Sequence, residues 1–130
     1  MYLPQIKGGR TVSRYTLGAY IVVFVTDCES VGMINYLHVA FVYLPDPTDP
    51  ENKPQIVMAV AAERSTATEM FMKDSSTYFL GVFPGDGHMN LGASPDWADL
   101  TKFTRRALEV IAQHLNIQKP PVYIPSQRND

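Results

Sequence analysis

Apolar residues crowd the segment from Tyr15 to Thr26, where β-branched and aromatic side chains predict one long strand. Leu17, Ala19, Ile21, Val23 and Val25 fall on one face, and Tyr20, Val22 and Phe24 on the other. Two apolar faces place such a strand in the middle of a sheet covered on both sides. Asp27 to Ser30, with Gly32, supply turn chemistry. Alternation resumes over Tyr36–Leu44, with Leu37, Val39, Phe41 and Tyr43 in phase, and over Gln55–Arg64, with Ile56, Met58, Val60 and Ala62 in phase. Between these strands, residues 45–54 hold four of the ten prolines and predict a stiff, acidic loop.

Thr66 and Glu69 match a capping box, and Glu69 and Lys73 then sit one helical turn apart, so a short helix is expected there, with a strand over 69–73 as the alternative. Thr77–Phe83 reads as a strand, Pro84–Gly87 as a turn, and His88–Leu91 as a short returning strand. The last element is a long helix over 95–116. Ser94 is its N-cap, Pro95 suits the first helical position, and Asp96 and Asp99 favour the positive end of the dipole. Trp97, Leu100, Ala107, Ile111 and Leu115, with Thr104 and Leu108, trace an apolar stripe that Trp97 is expected to anchor. Asn116 is the expected C-cap, and Pro120-Pro121 forbids continuation.

The expected fold is α+β: an antiparallel sheet of about five strands, in the order β-β-β-α-β-β-α, with the long C-terminal helix on one face. The 130 residues make a single domain, with an extended arm over 1–13 and an extended tail over 117–130. Five strands at about 4.8 Å spacing form a sheet roughly 24 Å wide. A helix is about 10 Å across, so one long helix leaves part of the sheet uncovered. A homodimer or a protein partner is therefore expected to supply the missing cover.

Charge narrows the partners further. The first 14 residues carry +3, residues 15–94 carry nine acids against three bases, and the whole chain is −2. An acidic body argues against nucleic acid, which is held by clustered Lys and Arg. No export signal or membrane-length apolar run is visible, so a cytoplasmic protein that engages no membrane is expected. A single cysteine excludes an internal disulfide and any multi-cysteine metal cage.

No catalytic motif and no cofactor fingerprint emerges. The run from Gly85 to Gly92 has the wrong spacing for a dinucleotide loop and lacks the Lys of a Walker loop. Four residues remain as candidates for ligand binding: His38, Asp86, His88 and Cys28. His88 beside Asp86 is the histidine in a loop, where functional groups concentrate. Asp27 and Glu29 flank Cys28 and disfavour its thiolate, the reverse of what a nucleophile needs. The expected function is a non-enzymatic protein-binding or self-associating module. The alternative is a small-molecule-binding protein or enzyme with a pocket between the sheet and the C-terminal helix.

Overall fold

The structure is a computed structural model that describes residues 3–45, 55–65, 77–85 and 87–125. Its strands are β1 (Ile6–Leu17), β2 (Tyr20–Ser30), β3 (Ile34–Leu44), β4 (Gln55–Ser65), β5 (Tyr78–Phe83), β6 (Met89–Ser94) and β7 (Val122–Tyr123). All pair antiparallel in one sheet ordered β6-β5-β4-β3-β2-β1-β7. A 3-10 turn (Pro95–Ala98) leads into the one described helix, α1 (Leu100–His114). The α+β class and the antiparallel sheet hold, but the sheet has seven strands rather than five. The proline-rich loop beyond Pro45 and the capping-box segment from Thr66 lie outside the described residues.

The two extra strands come from the expected arm and tail. Residues 6–17 are a strand paired along β2, and Val122–Tyr123 pairs with Thr16 and Tyr15 at its outer edge. The expected single strand over Tyr15–Thr26 is a hairpin, since Leu17 pairs with Tyr20 across the two loop residues Gly18 and Ala19. Gly18 has φ +60, at the loop position where a type II′ turn takes glycine. Continuous apolar character on both sides of the turn hid it from the pattern.

One face of the sheet packs on α1. Val22, Phe24, Met58, Val60, Leu80 and Val82 meet Phe103, Ala107 and Ile111 there, all at most 1% exposed. The buried helix residues also include Val110 and Leu108. Phe103, edge-on to Phe24 and fully buried, is the anchor that the sequence pattern assigned to Trp97. Trp97 is only partly buried, and its indole Nε1 has no hydrogen-bond partner. The helix boundaries are more finely made than expected. Ser94 caps the 3-10 turn, and Asp99 is the N-cap of α1, accepting from the Lys102 N–H at 3.0 Å. At the other end Asn116, at φ 55, lets the Ile117 N–H reach the Ala112 carbonyl at 2.8 Å, a Schellman closure.

The opposite face buries Val39, Ala59, Ala61 and Phe83 with no exposed surface in a single chain. Leu3 and Ile6 pack against this cluster from the N-terminal side. The centre of this face is thus buried within a single chain, while Val23, Val25, Phe41 and Tyr43 on the same face are only partly buried.

Candidate functional site

The four sequence candidates separate sharply. His38 lies in β3 on the helix-covered face, nearly fully buried. Its Nε2 is 3.0 Å from the Ala98 carbonyl, which can only accept, so this nitrogen carries the proton. Its Nδ1 is 2.7 Å from the Thr26 hydroxyl, which then donates to it. Phe103 packs on the ring. Both nitrogens are engaged, and His38 ties β2, β3 and the entry to α1 together. Cys28 is half-buried, its thiol donating weakly to the Val25 carbonyl at 3.8 Å. Burial first, and the Asp27 carboxylate second, push that thiol up to about 11, so it is protonated at neutral pH. Asp86 lies outside the described residues.

His88 is the candidate in a chemically unusual setting. It immediately precedes β6, and its ring stacks on Phe83 at 4.5 Å between centroids. Its Nε2 meets Oε1 of Glu63, a residue of β4 that is 4% exposed. Glu63 is paired across the ladders with Tyr36 of β3 and Phe79 of β5, so it sits mid-sheet on the face away from α1. The other carboxylate oxygen, Oε2, is buried without a partner. Burial raises the Glu63 carboxyl above the usual carboxylate range, and the His88 ring pulls part of that rise back. Gly81 makes the room. A Cβ there would stand 2.5 Å from the carboxyl carbon and 2.9 Å from Oε2. The space a side chain would fill holds a carboxylate instead. Buried, half-satisfied acids of this kind concentrate at functional positions.

Sequence reasoning missed Glu63 because it stands near the end of a strand, where a charge usually reaches solvent. Its phase was the available signal: it follows Ala59 and Ala61 on the same face, so a charge closes an apolar row. Among the described residues no three His, Cys, Asp or Glu side chains gather closely enough to hold a metal ion. No described helix is long and apolar enough to cross a membrane. A rim hollow of about 350 Å³ lies between Tyr15 and the helix residues Leu100, Thr104 and Leu108.

The two margins of the sheet differ as surfaces. On β1, Lys7, Arg10 and Arg14 and three register shifts against β2 guard the edge, and β7 covers part of it. Such charges and bulges suppress strand addition. On the other side, β6 carries no charged residue, and Met89 and Leu91 are 46% and 47% exposed. A bulge follows: the register shifts between Phe79 and Gly81, and the Asn90 side chain accepts from the Gly92 N–H at 2.8 Å. The unguarded stretch is therefore Met89–Leu91, which begins one residue after His88.

Compared with known proteins, the chain matches no protein family, no curated protein and no solved structure.

Proposed function

We propose that this chain is a non-enzymatic protein-binding or self-associating module that engages an extended strand at the start of β6. The uncharged, exposed edge at Met89–Leu91 carries this reading. Main-chain groups at a sheet edge bind a further strand, and alternate side chains supply the contact. A second copy is the simplest occupant, because an uncharged strand is self-complementary about a two-fold axis. Sedimentation of the isolated chain at micromolar concentration tests it. The parent should sediment as a dimer, and Leu91→Lys should give a folded monomer. A parent monomer that captures no extended peptide, or a Leu91→Lys variant that still dimerises, overturns the proposal.

The pairing of Glu63 with His88 favours a second reading, a ligand-binding or acid–base site on the face away from α1 rather than between sheet and helix. It supplies a buried carboxylate beside a titratable ring. Saturable binding of a small cationic or hydroxylated ligand, lost in Glu63→Gln, would support that reading over the first.

A further inference from the structure

The backbone of β6 leaves the β5–β6 connection at His88, and the His88 ring is fastened to the sheet. It stacks on Phe83 of β5 and meets the carboxylate of Glu63 on β4. We propose that the Glu63–His88 pair is a proton-controlled latch on the start of β6, closed at mildly acidic pH and loosened as the pH rises. Its consequence for binding rests on the β6 reading above, whereas the latch itself does not.

The argument follows the carboxylate. With a proton on the pair, either the imidazolium faces a carboxylate or a neutral carboxyl faces the ring, and no net negative charge is buried. Once that proton leaves, Glu63 keeps a full negative charge in the sheet, with one neutral N–H donor and a second oxygen that has no partner. Breaking the contact and hydrating the carboxylate then becomes the cheaper state. The strand that moves is the one His88 leads into, since Glu63 lies within the ladders of β4 with both β3 and β5.

Few other described groups compete. On that face Tyr36 of β3 stands directly across from Glu63, and Cys28 of β2 belongs to the same cluster with its thiol protonated at neutral pH. From β5 the facing residues are Phe79, Gly81 and Phe83, and from the N-terminal side Leu3 and Ile6, none of them titratable. Arg64, the neighbour of Glu63 in β4, turns to the other face, over the Tyr78 ring.

Amide hydrogen exchange on the full chain tests the latch, compared between about pH 5.5 and about pH 8.5. Rates are corrected for intrinsic base catalysis. Protection of the Met89–Leu91 amides should fall by about tenfold while β3 amides keep theirs. In Glu63→Gln the fall should vanish, because no charge forms in the sheet. His88→Gln is the second variant: it removes the fastened ring itself, so protection of these amides should be low at both pH values. Constant protection in the parent, or an equal fall in both variants, overturns the latch. A latch that opens while sedimentation is unchanged at both pH values supports the latch and removes the β6 binding reading instead.

Discussion

On the helix-covered face His38 has each ring nitrogen engaged, by the Thr26 hydroxyl and the Ala98 carbonyl, with Phe103 against its ring. On the opposite face His88 meets a buried acid whose second oxygen has no partner. Both histidines bridge elements distant in sequence, yet their consequences differ. A bridge with every donor and acceptor matched fixes one arrangement. A buried acid that is half matched fixes its arrangement only while a proton is present, since low dielectric magnifies the cost of the missing partner. The surroundings follow the same division. The helix-covered face is built from large side chains such as Phe24, Met58, Leu80 and Ile111. The other face uses Ala59, Ala61 and Gly81 beside Phe83, small residues that leave space for the carboxylate.

The largest expected effect tests the first half of that contrast. Phe103→Ala should cost about 3–5 kcal/mol, since it removes a fully buried ring that touches both Phe24 and His38. Trp97→Ala should cost less than half as much, because Trp97 is only partly buried and its Nε1 has no hydrogen bond to lose. Urea denaturation of both variants gives the comparison, and equal losses would show that the 3-10 turn, rather than α1, anchors the helix side.

A smaller effect should mark the second half. Gly81→Ala places a methyl group on the Glu63 carboxylate and should cost about 1–3 kcal/mol by overpacking. The clash has one main partner, so Gly81→Ala should cost markedly less in a Glu63→Ala background. The double-mutant cycle should therefore show a coupling of about 0.5–3 kcal/mol. Additive losses would mean that Gly81 is required for its backbone rather than for the space above it.

Much of the molecule was legible in its residue pattern, and the failures have distinct causes. β3, β4 and β5 are legible because each buries a row of side chains at alternate positions. The hairpin at Gly18–Ala19 was invisible because apolar residues continue through it, leaving a glycine as the one local signal. β1 was hidden by Lys7, Gly8, Gly9 and Arg10, which break alternation; the strand is fixed by pairing with β2, a tertiary effect no local window contains. The helix was located by its caps, but its stripe was started one turn early, at Trp97, so Phe103 and Val110 were left off. Both His38 and His88 are candidates from sequence, His88 for lying in a loop. Their difference depends on Thr26, Ala98 and Glu63, which stand 12, 60 and 25 residues away in the chain.

The smallest effect is read through the pH dependence of the buried acid. The Glu63 carboxyl is raised in the folded chain by burial, so the folded state holds its proton more tightly than the unfolded state. The resulting stability is fully present below the unfolded carboxyl value, about 4.3 for a glutamate, and is lost as the pH rises through the higher folded value. Glu63→Gln should therefore melt close to the parent at low pH and above it at pH values beyond that window. Thr26→Val removes one bond of the His38 bridge and should lower the melting temperature, the loss corresponding to about 1–3 kcal/mol. Thermal unfolding of parent and variants in matched buffers reads both. If Glu63→Gln leaves the pH profile of stability unchanged, the role assigned to the buried acid is wrong.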